Sequence, residues 1–244
     1  MSARSEGEAQ AAPPVQRNCW HCSAQAACPV TRLRGDHVAK LQLEEHGFRA
    51  GDVLQAQGSI STALRIIKSG TVMMSCALTR DGAHQPIGVL GRGTVTGQFG
   101  LLGRASPVTH IGILEGRYCE LSNAALRSSG LLEDPAFLWA MQDFMAHAME
   151  KYVSWSLLRS GDSVTRQLAG ALLHLSELQC SLRVRLPTQT TLAELLGTTR
   201  ESITRAFARL EKNGDVSRCG RHYCDLHMPL LLQRIQARNP SLPN

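Results

Sequence analysis

The chain has 244 residues, 43% hydrophobic and 19% charged, enough for two ordinary domains with a real core. Its 26 basic and 20 acidic residues give a net charge of +6, and between Arg183 and Arg221 eight basic residues stand against four acids, which suits a polyanionic partner. No apolar run approaches the roughly 20 residues a membrane helix needs, and Met1-Ser2-Ala3-Arg4 opens no apolar signal stretch. The expectation is a cytoplasmic protein with reduced thiols and no membrane partner.

Residues 1–18 are small, polar and proline-bearing (Ala11-Ala12-Pro13-Pro14) and read as a disordered leader. Residues 19–32 carry Cys19, Cys22 and Cys28, spaced C-x2-C-x5-C, and a remote Cys119 could supply a fourth thiolate. Four thiolates suit an iron–sulfur cluster or a zinc ion. Structural zinc sites usually use two C-x2-C pairs and this chain has one, yet the residues alone leave both metals open.

Residues 33–133 alternate short apolar runs with glycine. Arg65–Lys68 ahead of Gly70, Thr71–Ser75 and Ile87–Leu90 are examples, and they predict a small antiparallel sandwich or barrel. Asp134-Pro135 then opens a long helix over 134–160, the carboxylate capping free N–H groups and the proline fitting the first turn. Along it Phe137, Met141, Phe144, Ala148, Trp155 and Leu158 follow heptad spacing with Lys151 in the gap, which predicts a dimer seam weakened by that lysine.

Residues 161–227 read as a DNA-binding domain. A helix from Ser163 to Gln179 and a short strand over Leu182–Leu186 precede a helix-turn-helix over Gln189–Ala208. Ala193 allows close helix approach, Gly197 allows the turn and Ile203 faces the core. The second helix, Thr199–Lys212, presents Arg200, Glu201, Thr204 and Arg205 to a major groove. Arginine can bond guanine, glutamate the cytosine amino group, and threonine a thymine methyl or a phosphate. Val216–Leu226 folds around Gly220 as a β wing whose Arg218 and Arg221 reach phosphates. Residues 228–244 are read as a tail. Cys76 and Cys180 read as core, and Cys219 and Cys224 as cross-strand packing or a second redox pair.

Taken together, cysteine segment, roll, long helix and winged helix-turn-helix resemble the catabolite activator/FNR (CRP/FNR) family of bacterial regulators from about Cys19 to Leu226. The chain is most similar to the FNR-type branch, whose members carry C-x2-C-x5-C and a later cysteine followed by Glu, here Cys119-Glu120. The resemblance implies an α+β fold. Its parts would be an N-terminal antiparallel β-roll (a cyclic-nucleotide-binding-like jelly roll), a dimerisation helix and a C-terminal winged helix-turn-helix. It also implies a [4Fe-4S] cluster on Cys19, Cys22, Cys28 and Cys119, with oxygen destroying the cluster and weakening a homodimer. That homodimer would read double-stranded DNA at an inverted repeat, TTGAT-N4-ATCAA, through Glu201 and Arg205, with Thr204 where the branch has Ser. RNA polymerase contacts would come from around Leu101–Pro107.

Family members that bind cyclic AMP use a Glu in G-E-x-G and an Arg-Ser pair. Here Gln98 and Thr109-His110 occupy those places, which argues against cyclic AMP as the signal. Two other readings fit the residues. One is the same architecture with structural zinc and a small ligand in the roll. The other is an iron–sulfur enzyme, against which stands the lack of a nucleotide-binding glycine loop, paired carboxylates or a nucleophile–base arrangement.

Overall fold

The computed structural model describes Cys22, Cys28, Val30, residues 43–77 and residues 84–236. Six antiparallel strands make the N-terminal sheet: β1 (Leu43–Phe48), β2 (Val53–Gln55), β3 (Ala63–Ala77), β4 (His84–Leu90), β5 (Val95–Thr96) and β6 (Thr109–Ser122). Their order is β1-β6-β3-β4, with β2 also on β6 and β5 on β3. Glycine spacing suggested a strand end at Gly70. Instead β3 runs on, bent, and its pairing with β6 slips register around Ser69 and Thr71. Gly70 has φ +85, and a Cβ on Gly116 would lie 2.0 Å from the Ser69 carbonyl oxygen. Two glycines let the backbones cross where any side chain would collide.

Two short helices, α1 (Gln98–Leu101) and α2 (Asn123–Ser128), flank β6, and α3 (Pro135–Arg159) follows. The Ala136 amide donates to Asp134 Oδ1 at 2.8 Å, and Pro135 sits in the first turn, as the sequence predicts. The C-terminal domain holds α4 (Val164–Gln179), β7 (Arg183–Arg185), α5 (Gln189–Leu196), α6 (Arg200–Lys212), β8 (Val216–Cys219), β9 (Tyr223–Leu226) and α7 (Met228–Gln236). Thus the segment read as a tail begins with a helix. Leu231 and Ile235 of α7 pack on the α4 core, an apolar i, i+4 pair that the reading overlooked. Residues 237–244 lie outside the described set.

The seam assigned to α3 faces its own chain. Phe137 packs on the roll core beside Met141, and Trp155 and Leu158 join the α4 core. Phe144 and Ala148 look onto Leu90, Gln98 and Leu178. Lys151 Nζ meets Glu177 Oε2 of its own chain at 2.6 Å. Heptad spacing was real, but a 3.5-residue stripe serves an intramolecular groove as well as a partner helix. The outward side of α3 carries Leu138, Trp139, Met145, Met149, Val153 and Leu157, with Trp139 76% and Met149 63% exposed.

One hydrophobic core crosses the domain boundary. Met73, Val89 and Ile113 of the roll share it with Leu168, Leu172 and Phe207 of the C-terminal domain. Polar contacts reinforce it: Arg159 Nη1 donates to the Pro86 carbonyl at 2.6 Å, and the His174 ring lies 3.2 Å from the Val89 carbonyl. Among the described residues, no helix is long and apolar enough to cross a membrane.

Candidate DNA-reading and cysteine sites

The reading head is assembled by three caps. Thr188 Oγ1 accepts from the Thr191 amide at the start of α5, and Thr199 Oγ1 accepts from the Ser202 amide at the start of α6. Gly197 ends α5 in the left-handed region with φ 63, the turn the sequence predicts. Ile203, Ala206, Phe207 and Leu210 are buried. At about 100° per residue, that inward stripe leaves Glu201, Thr204, Arg205 and Arg209 on the outward face. Glu201 is fully exposed, and its carboxyl is held below the ordinary range by its own backbone amide, the Thr199 hydroxyl and the nearby Arg200 and Arg205. It is therefore an ionised acceptor at neutral pH.

Two of the assigned contacts change role. The Thr204 hydroxyl reaches Gln189 Oε1 and the Arg200 carbonyl, both at 3.0 Å, so its hydrogen atom is engaged within the head, and its methyl and the oxygen lone pairs are left for a base. Arg218 bonds Glu211 through Nε at 2.9 Å and Nη2 at 2.8 Å, and its guanidinium lies 5.4 Å from the centre of the Phe207 ring. It fastens the wing to α6, a role the sequence reading did not see because strand partners set it. Arg221 is exposed at the wing turn and forms no ion pair among the described residues, as a phosphate contact requires. Arg205 stays outward, its Nη2 3.0 Å from Ser202 Oγ.

Cys119 sits on β6 opposite Glu45 of β1 and Ile66 of β3. Burial pushes its thiol up to about 12, against the opposing pull of Lys68; nearby Cys28, Glu45 and Cys22 add to the rise. Cys28 and Cys119 pack against one core with Val30, Leu64, Ile66, Leu121 and Phe137. Cys28 thus packs on the same core as Cys119, next to the start of α3. Beside them Lys68 Nζ bonds Glu45 Oε2 at 2.8 Å, and Arg117 Nη1 bonds Glu45 Oε1 at 3.1 Å. Cys19 lies outside the described residues. Among the described residues, no three His, Cys, Asp or Glu side chains are gathered closely enough to hold a metal ion.

The other cysteines are simpler. Cys180 is exposed and ends α4 with φ 50, contrary to its core assignment. Cys224 is buried while Cys219 pairs with Asp225 Oδ2 at 3.1 Å. In the wing Cys219 faces Tyr223 and Cys224 faces Arg218, so the two thiols pack apart. Inside the roll, Gln98 Oε1 and His110 Nδ1 are buried without partners, and the Thr109 hydroxyl accepts from the Gln57 amide at 3.0 Å.

A sheet roll, a capped linking helix and a winged head with an outward Glu–Arg reading face define a DNA-binding transcription regulator. The cyclic nucleotide-binding domain family matches residues 45–128, and the Crp-like helix-turn-helix domain family matches residues 166–235. A cyclic nucleotide-binding domain followed by a Crp-like helix-turn-helix domain supports a DNA-binding transcription regulator of CRP/FNR type. No curated protein matches the chain. Solved structures share the fold. The FixK2 structure from Bradyrhizobium japonicum superposes with TM-score 0.68 at 18% identity, covering 79% of this chain and 97% of its own. A CRP-family transcriptional regulator from Thermus thermophilus gives 0.62 at 19% identity over 78% and 95%. The c-di-GMP-responsive global regulator CLP of Xanthomonas campestris gives 0.61 at 17% identity over 80% and 100%.

Proposed function

We propose that this regulator senses oxygen or redox state through a [4Fe-4S] cluster on Cys19, Cys22, Cys28 and Cys119. As a homodimer in the cytoplasm it reads an inverted repeat of the TTGAT-N4-ATCAA type. What supports the reading is the cysteine pattern, C-x2-C-x5-C with the later Cys119-Glu120, together with the packing of Cys28 and Cys119 on one core. All-thiol donors suit iron–sulfur ligation, and the Lys68 cation near Cys119 and Cys22 offsets part of the negative charge of bound thiolates. When bound, such a cluster supplies an oxygen-labile link between the N-terminal segment and β6. Cys28 and Val30 lie on the core that also seats Phe137, so anchoring or releasing this segment acts directly on the first turn of α3.

The second copy docks on the outward stripe of α3, Leu138, Met145, Met149, Val153 and Leu157. An inverted repeat needs two heads related by a twofold axis, and a shared helix seam provides one. Glu201 and Arg205 then read bases and Arg221 a phosphate. RNA polymerase contacts are assigned to the surface around Leu101–Pro107. Gln98 and Thr109 present neither the carboxylate nor the cation that a cyclic nucleotide needs, which argues against cyclic AMP as the signal.

Anaerobic purification tests the metal: a brown protein with about four irons per chain is expected, falling sharply in Cys119→Ser. A colourless protein holding one zinc per chain would overturn the oxygen-sensing reading and favour a structural zinc site.

A further inference from the structure

Between the roll and the reading head lies a cleft of about 980 Å³, at the upper end of the range of about 300–1,000 Å³ for small-molecule sites. Its walls are cationic. Arg49 projects from the β1–β2 turn, and Arg185, Arg200, Arg218 and Arg221 come from the head, Arg218 being paired with Glu211. The one acid among the described lining residues, Glu115, already pairs with Arg185 at 3.8 Å. Arg49, Arg200 and Arg221 are exposed and form no ion pair among the described residues. The floor is apolar, made by Ile113, Leu114, Leu186 and Pro187. Unpaired guanidinium groups over an apolar floor match a ligand with phosphates at one end and a flat base at the other. The position inside the roll where Gln98 and His110 sit is separate; neither residue lines this cleft.

We propose that this cleft binds a nucleotide carrying two or more phosphate groups, held by Arg49 of the roll and by Arg200 and Arg221 of the head, and that its occupation excludes DNA. Arg200 opens the recognition helix and Arg221 lies at the wing turn. A phosphate bridge from these residues to Arg49 occupies the cations that face DNA and pins the head to the roll. Because the two ligands share residues, each weakens the other by the same factor. The inference rests on the helix-turn-helix and not on the metal.

The test uses the full-length protein, with ATP and tripolyphosphate as probes in magnesium-free buffer. Calorimetry follows probe binding, and anisotropy of a labelled duplex carrying the inverted repeat follows DNA binding. Arg49 meets its surroundings through its backbone amide, which donates to Asp52 Oδ2 at 2.7 Å, so Arg49→Ala keeps the turn. ATP is expected to bind the wild type, at least tenfold more weakly to Arg49→Ala, and tripolyphosphate more weakly than ATP. Saturating ATP is expected to lower wild-type DNA affinity at least tenfold and to leave that of Arg49→Ala nearly unchanged. Equal ATP affinity for the two proteins would mean adsorption to the head alone and overturn the proposal. So would absence of ATP binding at millimolar concentration, unaltered wild-type DNA binding in ATP, or tripolyphosphate binding as tightly as ATP. Failure to bind DNA without ATP would count against the regulator's operator assignment, while the ATP comparison still decides the cleft.

Discussion

Acidification should destabilise this protein through His110, by an amount the structure allows to be worked out. The ring is buried on β6, its Nδ1 has no partner, and burial with Arg65 nearby lowers its pKa to about 4 from 6.5. The unfolded chain therefore binds a proton between those values and the folded chain does not. Stability is present above the unfolded pKa and is lost as pH falls through 6.5 toward 4. At about 1.36 kcal/mol for each pH unit separating the two values, the full loss is about 3 kcal/mol, and about 2 kcal/mol of it is gone at pH 5 relative to pH 8. Urea unfolding across pH 8 to 4.5, followed by fluorescence of the buried Trp155, measures it. His174 is also depressed by burial and adds loss of the same sign, so the comparison with His110→Gln isolates the roll histidine. The variant should show a pH dependence shallower by about 2 kcal/mol at pH 5. Parallel curves for the two proteins would refute the reasoning and mean that water or rearrangement solvates the ring.

Four further sets of outcomes are expected. Met149→Glu or Val153→Glu should leave a folded monomer in sedimentation, whereas Lys151→Ala, which removes an internal pair with Glu177, should leave dimerisation unchanged. Arg205→Ala should weaken the cognate duplex by about 1–3 kcal/mol and relax base preference. Arg221→Ala should reduce the salt slope of binding by about one and Arg218→Ala should lower head stability instead, read by salt titration and melting. Gly116→Ala should cost about 1–3 kcal/mol in denaturant unfolding, because its Cβ would meet the Ser69 backbone at 2.0 Å.

Much of the reading head was legible because its signals are local. Gly197 at the turn, Ile203 inward and Glu201 and Arg205 outward need nothing beyond helical geometry and a glycine conformation. The roles of Arg218 and Thr204 were not legible, because Glu211 and Gln189 reach them across elements and pair spacing alone does not specify a tertiary partner. The same limit explains α3. Its heptads announced an apolar stripe from Phe137 to Leu158, but the sequence is silent on whether a stripe meets another helix of the dimer or the chain's own sheet. Met145, Met149, Val153 and Leu157 recur every four residues and form a second stripe as regular as the first, and spacing alone does not say which of the two stripes stays exposed on the chain. Cys119 was found by matching a family pattern; its setting beside Lys68, Glu45 and Arg117 comes from strand register, which only the folded sheet defines.

Because Met73, Val89 and Ile113 pack into the same core as Leu168, Leu172 and Phe207, the roll and the head are expected to melt together. Calorimetry of such an arrangement gives one transition, and damage in either half is felt as a lower temperature for both. A head grafted onto a foreign roll would arrive with part of its interior missing, so modular exchange of sensors within this architecture requires carrying those three roll residues along.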